Sequence, residues 1–521
     1  MTGNVARLRN FAAADGALAL LCGLCAHLPI LIAQGFVGWN PPDYALVDEF
    51  GFSRGALGLA RTGQLEFLGW ASMTLFGLLY WAQPFVALLG SSFLSTRIAV
   101  WTLDLLGPAA IFLILRQRGA GRAVSGLGAL ALGWSPLYTL AAAPFMTDAP
   151  YLALCLVGVF CFERALADPE WLSSPWLSAG ALAFVAAGSI RQTAVLGLVA
   201  AAVVAGRPRL RGSAIPILTG AGLLITTAYL VARATPGFLP LGALIPFGAE
   251  RLLEWPSLAL AVAMSAAPFV TALPARYLRR MAVVFPLLVA GWAIAARSNP
   301  GKPPGFMGTA LGPGIADPLS SLPLIGLGLL VLAAAPFVLS VRSLSQVGVL
   351  EIFAGLHGLA LLPLFTSRPL FDRYGLPLTA VVVVAFAMQP GLSRLRASLS
   401  LLVMGALSTL LLESVLHDKI LEWELGRSAL SRGIPAEDVA IDFTWAGYHA
   451  ESGALWEATQ NPRPARYRVT VEPDPGTRVL DRRDRSREWR PGFRGRYRYF
   501  YLVDEGSRSL SPSGARTRPS P

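Results

Sequence analysis

Residues 11–50 read FAAADGALALLCGLCAHLPILIAQGFVGWNPPDYALVDEF, and this stretch decides the fold. Residues 11–33 are almost all apolar, a run of the ~20 residues needed to cross roughly 30 Å of hydrocarbon. Two adjacent carboxylates, Asp48 and Glu49, follow it. Carboxylates next to a bilayer are costly to desolvate, so a pair at the mouth of a span implies that they do work there. Arg54 and Arg61 come next at helical spacing.

Apolar runs of similar length recur to about residue 416. The chain has 521 residues, 54% hydrophobic and 14% charged. Soluble cores do not repeat such runs, so the sequence predicts an all-α polytopic membrane protein. Residues 1–416 are expected to form the transmembrane domain, with residues 34–96 as its first outside loop. Residues 417–505 read as a small extracytoplasmic region and residues 506–521 as a disordered Ser/Pro/Arg tail. Within the C-terminal region, the alternation over residues 496–503 predicts a strand. The first apolar run is too long for a signal peptide and lacks a small-residue cleavage site, so it reads as a retained span. The net charge is +12, but its cations lie mostly in short loops and the tail. Orientation and anionic lipid headgroups account for them, and no nucleic acid partner is expected.

The Lys/Arg bias sets a topology of about thirteen spans. Arg7 and Arg9 put the N-terminus in the cytoplasm, and Arg116, Arg118 and Arg122 form an inside cluster. Counting residues 70–90 as a span would turn that cluster outward. That segment, with Trp70, Phe76, Tyr80 and Trp81, is therefore expected to lie as a helix on the membrane face. The C-terminus then falls outside, in a multi-pass protein of a bacterial-type inner membrane. Asp48, Glu49, Arg54, Arg61, Asp148, Arg191, Gln192, Asp372 and Arg373 all fall on that same outside face.

Each has a plainer reading. Asp148 or Thr147 precedes Ala149-Pro150 and is placed to cap a helix. Arg191 is placed to snorkel to the interface, Arg373 to pair with Asp372 or Asp148, and the acidic pair to be a solvated loop charge. Together they tell one functional story. A lipid phosphate ester offers a phosphate at the membrane face and a tail in the bilayer. Arginines hold the phosphate, and a carboxylate takes the proton of an acceptor hydroxyl. If the phosphate carries a sugar, the lipid phosphate leaves and one displacement inverts the sugar carbon.

Other residues point less far. Cys22 and Cys25 form a C-x-x-C near His27, which reads as helix packing before it reads as metal or redox chemistry. His357, His417 and His449 are scattered, so no metal-ligand cluster is visible. No cofactor and no dedicated metal site is expected, although a divalent cation is compatible with the reading.

Several motifs occur in order: Val47-Asp48-Glu49-Phe50, Ala60-Arg61-Thr62-Gly63-Gln64, residues 93–97, Phe145-Met146-Thr147-Asp148, Ser189-Ile190-Arg191-Gln192, and Asp372-Arg373-Tyr374 with Pro377. In this set and spacing the chain resembles the C-type membrane glycosyltransferases that use polyprenyl-phosphate sugars. Its nearest likeness there is to the family-39-like protein O-mannosyltransferases and aminoarabinose-transferase-like proteins. The resemblance implies that Asp48 is the catalytic, acceptor-activating carboxylate and Glu49 its companion. It implies that Arg61, Asp148, Arg191, Gln192 and Arg373 line the donor-phosphate site. The expected partners are a polyprenyl-phosphate sugar, membrane lipids, and a glycan, lipid or protein acceptor. Relatives carry a Lys-Pro-Pro-like motif in the surface helix. Here that helix region reads Gly69-Trp70-Ala71-Ser72 and later Gln83-Pro84, with no lysine. A lipid-linked sugar flippase and a noncatalytic membrane subunit are the competing readings; the absence of a half-to-half repeat argues against a transporter.

Overall fold

The computed structural model describes residues 13–38, 43–70, 73–168, 174–205, 214–238, 262, 265–274, 348–364, 372–451, 465–471, 473, 477–484 and 499–506. The spans expected near 281–297 and 321–340 and the first part of that near 257–274 lie outside these residues. So do the loop at 299–318, Arg7, Arg9, and the tail from 507 onward.

The molecule is a helical membrane protein. Among the described residues, five helical stretches are long and apolar enough to cross a bilayer: Ala13–Val37, Phe93–Gln117, Asp148–Leu166, Pro216–Ala234 and Arg394–Ser431. Shorter apolar helices include Phe76–Leu89, Arg122–Gly133, Pro175–Gly188 and Leu376–Ala387. Helix α1 (Phe76–Leu89) has 14 residues, about 21 Å of rise against the roughly 30 Å of a hydrocarbon core.

The span Phe93–Gln117 starts with a capping box: Ser92 Oγ accepts from Ser95 N, and Ser95 Oγ accepts from Ser92 N. It then divides at Leu105 into α2 (Phe93–Asp104) and α3 (Leu106–Gln117). The cause is local. Pro108 has no N–H for the carbonyl of Asp104, four residues back. The Tyr138 hydroxyl donates to that carbonyl instead, at 2.6 Å. Gly107 makes room for it, since a Cβ there would stand 2.7 Å from the Tyr138 oxygen.

Close packing elsewhere uses small residues. Helix α4 (Asp148–Leu166) and helix α5 (Pro175–Gly188) interlock through stacked Phe162 and Phe184, whose ring centroids are 5.5 Å apart. Gly158 and Gly180 accept those rings, and a Cβ at either would clash within 2.8 Å.

Helix α6 (Arg394–Ser431) runs 38 residues, about 57 Å, past residue 416 where hydropathy places the end of the last span. Its first half exposes Leu395, Leu399, Leu402 and Val403 at helical spacing, a face suited to lipid. Its second half buries Leu421, Leu425 and Ala429 against Val439, Phe500 and Leu502. Those three belong to a sheet of four strands, β1 (Val439–Ala440), β2 (Tyr467–Thr470), β3 (Arg478–Asp484) and β4 (Tyr499–Asp504), ordered β1-β2-β4-β3. β4 pairs antiparallel with both β2 and β3, and Val469 faces Leu502. The strand expected at 496–503 is seen from Tyr499. One helix thus links the bilayer to the C-terminal region.

Charges sit at the two ends of the bundle. Arg118 bridges Glu163 and Glu351 at 2.5 Å each, and Asp15 pairs with Arg116 and Arg122. Arg97 lies 21 positions before Arg118 on the same span, about 31 Å away along the axis. The basic cluster and the acidic pair, which Arg97 holds, are therefore at opposite ends.

Candidate active site

Helix α7 (Glu49–Thr62) starts at the acidic pair. Val47, just before it, has φ +49. A β-branched residue in the left-handed region is strained by about 1–3 kcal/mol, and such strain persists only where the surroundings hold it. Among the described residues the three non-glycine positions with positive φ are Val47, Leu68 and Leu75, all in the first loop.

Glu49 supplies much of the hold. It is fully buried. Arg97 donates Nε to Oε1 at 2.8 Å and Nη2 to Oε2 at 2.7 Å. Leu46 N donates to Oε2 and Phe145 N to Oε1, each at 2.9 Å. A carboxylate offers about four acceptor sites, and Glu49 has four donors on it. Arg97 also donates to the Tyr44 carbonyl at 2.8 Å and lies 4.5 Å from that ring's centroid. Burial raises the Tyr44 phenol above its ordinary range, so the ring stays neutral beside the pair. Asp48 differs from its neighbour. It is half-buried and sits at the helix N-terminus without capping it through its side chain.

The bond from Phe145 leads directly to the next site residues. Thr147 and Asp148 open helix α4, and the Thr147 side chain makes no cap. Both side chains hold Arg191 instead. Its Nε donates to Thr147 Oγ1 at 2.8 Å, and its Nη2 lies 2.8 Å from Asp148 Oδ1. The guanidinium is also 5.8 Å from the centroid of Tyr374. Arg191 thus turns inward rather than snorkelling, and its side chain is 16% exposed. Gln192 follows in a 3₁₀ turn, Gln192–Ala194.

The first loop is fastened to this junction. Leu75 N donates to the Ile190 carbonyl at 3.1 Å and Gly77 N to that of Ser189 at 3.0 Å. Thr74 Oγ1 donates to the Gly188 carbonyl at 2.6 Å. Gly77 is required for the approach, because a Cβ there would lie 1.9 Å from Ser189 Oγ. On its other side the loop is held by the C-terminal region: Arg54 Nη1 donates to the carbonyls of Gly447, Tyr448 and Ala450, each at 2.9 Å.

Glu49 is therefore bonded to the 145–148 segment, and that segment to Arg191; Asp48 and Gln192 are the chain neighbours of Glu49 and Arg191. Arg61 stands apart from them: it is exposed in the last turn of α7, twelve residues or about 18 Å beyond Glu49. Arg373 lies in the 3₁₀ turn Asp372–Gly375, and its side chain is outside the described residues. Cys22 and Cys25 are free thiols, and His27 Nδ1 pairs with the Gly23 carbonyl of its own helix.

Two residues escaped the sequence reading. Arg97 was visible only as part of a motif, although a basic residue inside an apolar run asks for a partner. His357, in helix α8 (Val349–Leu364), is 7% exposed. Its ring lies 6.4 Å from Tyr151 and 6.2 Å from Phe353, within electrostatic range of Arg191 and Asp148. A polar ring in an apolar span was its only signal.

No family model and no curated protein matches this sequence. Among solved structures the chain is similar to ArnT from Cupriavidus metallidurans in the apo state, at 14% identity and TM-score 0.45, over 95% of this chain and 99% of that one. It is also similar to ArnT from Cupriavidus metallidurans bound to undecaprenyl phosphate, at 15% identity and TM-score 0.41, over 94% and 98% of the two chains.

Proposed function

We propose that the protein is an inverting glycosyltransferase of the extracytoplasmic membrane face. It would move a sugar from a polyprenyl-phosphate donor to an acceptor hydroxyl or similar group. In this reading the acceptor oxygen attacks the sugar carbon while its proton passes to Asp48. The bond from that carbon to the phosphate oxygen breaks, and its electron pair leaves on the lipid phosphate. Arg191, oriented by Thr147 and Asp148, stabilises that charge. Gln192 and Arg373 are assigned to the same phosphate site, and Arg61 to the approach of the lipid. Arginine supplies the positive charge, so transfer is expected to survive EDTA.

The observation that carries the reading is the division of labour within the acidic pair. Four donors occupy Glu49, which leaves it the work of positioning. Asp48 stands beside it, half-buried, directly after the strained backbone of Val47. A carboxylate with no role beyond solvation has no need of such support.

The test is transfer of radiolabel from polyprenyl-phosphate sugars to protein, lipid A, glycan or lipid-linked acceptors in membranes containing the protein. Asp48→Asn is expected to abolish transfer while expression and thermal stability stay at the wild-type level. Full transfer by that variant removes Asp48 as the base. Movement of labelled lipid between leaflets, without transfer by the wild type, assigns the chain to the flippases.

A further inference from the structure

His357 is a buried polar group that the proposed reaction does not use. One of its ring nitrogens donates to the backbone carbonyl of Tyr374. Nδ1 has no hydrogen-bond partner among the described residues, so the bond to Tyr374 is made by Nε2. That bond fixes the tautomer. With its proton on Nε2, a neutral imidazole presents a bare lone pair at Nδ1.

His357 packs between Tyr151 and Phe353, and the guanidinium of Arg191 is in electrostatic range. Among the described residues, the charged and titratable groups around it are Arg191 from the 190–192 junction, Asp148 and Tyr151 from helix α4, and Tyr374 from the 3₁₀ turn. Asp148 is already engaged by Arg191. A buried acceptor left without a donor is destabilising. A site that keeps one gains from a ligand that brings the missing hydrogen.

We infer that His357 is a specificity residue that accepts a hydrogen bond, through Nδ1, from a hydroxyl or amine on the sugar of the lipid-phosphate donor. The inference rests on the proposed donor class. Its logic is one of neighbours: Arg191 takes the phosphate, and the sugar is the group covalently next to it. A phosphate oxygen carries no hydrogen for a neutral Nδ1, and the prenyl tail has none to donate. A sugar O–H or N–H does.

The test compares two ligands in detergent-solubilised full-length protein: bare undecaprenyl phosphate, and its mannose and arabinose esters. Wild type is expected to bind at least one ester more tightly than the bare lipid. His357→Leu is expected to weaken binding of that ester about ten-fold while changing the bare lipid by less than two-fold. His357→Gln, which keeps an acceptor, is expected to recover part of the loss. Thermal stability measured beside binding identifies a variant that fails to fold, and the Gln variant then carries the comparison. Equal weakening of both ligands overturns the inference, as does equal wild-type affinity for both. Failure of the glycosyl-transfer reading looks different: the wild type then discriminates between the ligands yet transfers no sugar to any acceptor.

Discussion

Arg97 and Glu49 meet side-on inside the protein, 48 residues apart in sequence, with Nε to Oε1 at 2.8 Å and Nη2 to Oε2 at 2.7 Å. The pair ties the start of the span Phe93–Gln117 to the start of the first-loop helix, and Phe145 N adds a third segment. Ionic groups in a dry interior gain little over an apolar pair, but removing one partner leaves the other uncompensated. Glu49→Gln and Arg97→Leu are each expected to destabilise the protein by about 3–5 kcal/mol. The check is a fluorescence-monitored thermal transition in detergent. Asp48→Asn should leave that transition in place. If Glu49→Gln is as stable as wild type, Glu49 does not hold the loop.

Arg191 makes a different kind of contact, because it serves two partners at once. Its Nε faces Thr147 and its Nη2 faces Asp148. A lysine can offer charge but not this planar fork. Arg191→Lys is therefore expected to weaken binding of polyprenyl phosphate at least ten-fold, with folding intact. Thr147→Val should produce a smaller loss, since the Asp148 contact remains. Isothermal titration with the bare lipid phosphate measures both. Wild-type affinity in Arg191→Lys would show that the phosphate sits elsewhere.

How much of this was legible beforehand follows from what sequence spacing can report. Asp48, Asp148 and Arg191 stand at the ends of apolar runs, and that placement alone marks them. The separate roles of Asp48 and Glu49 depend on Arg97 and Phe145, which lie 48 and 96 residues from Glu49. No local pattern encodes such contacts. Arg61 was drawn in by its helical spacing from Arg54, yet the rise of the helix carries it away from the pair. The end of helix α6 was unreadable for a related reason. Hydropathy falls where a helix leaves lipid, and here the helix continues in water to Ser431 on the packing of Leu421 and Leu425. His357 was set aside because its companions Tyr374 and Arg191 come from other segments.

The first loop and the C-terminal region depend on each other through Arg54. One guanidinium nitrogen meets the carbonyls of Gly447, Tyr448 and Ala450 at the end of the short helix Phe443–His449. Cations stabilise helix C-termini by interacting with these unpaired carbonyls. Arg54→Ala is expected to raise amide exchange across residues 443–451 by about ten-fold or more, with little change in the membrane helices. It is also expected to lower transfer activity several-fold, because α7 carries the acidic pair at its start. Hydrogen exchange with mass spectrometry reads the first effect. Unchanged exchange would mean that the aromatic packing of Trp423, Trp445 and Tyr448 suffices without the arginine.

The separation of the two charged ends gives a test of orientation. Arg97 and Arg118 stand about 31 Å apart along one span. The Arg118 end gathers Arg116, Arg118 and Arg122, paired with Glu163, Glu351 and Asp15, and a cluster of arginines beside short loops is expected in the cytoplasm whatever carboxylates accompany it. A cysteine in place of Arg122, whose side chain is half-exposed in its ion pair with Asp15, reports that end. A cysteine in place of the exposed Gln64, just past α7, reports the other. In intact cells or spheroplasts, with Cys22, Cys25, Cys155 and Cys161 replaced by alanine, an impermeant maleimide is expected to label Gln64→Cys but not Arg122→Cys. Inverted vesicles should give the opposite result. Labelling of Arg122→Cys from outside would reverse the topology and move Asp48 to the cytoplasmic face, where the proposed donor chemistry would have to be reassigned.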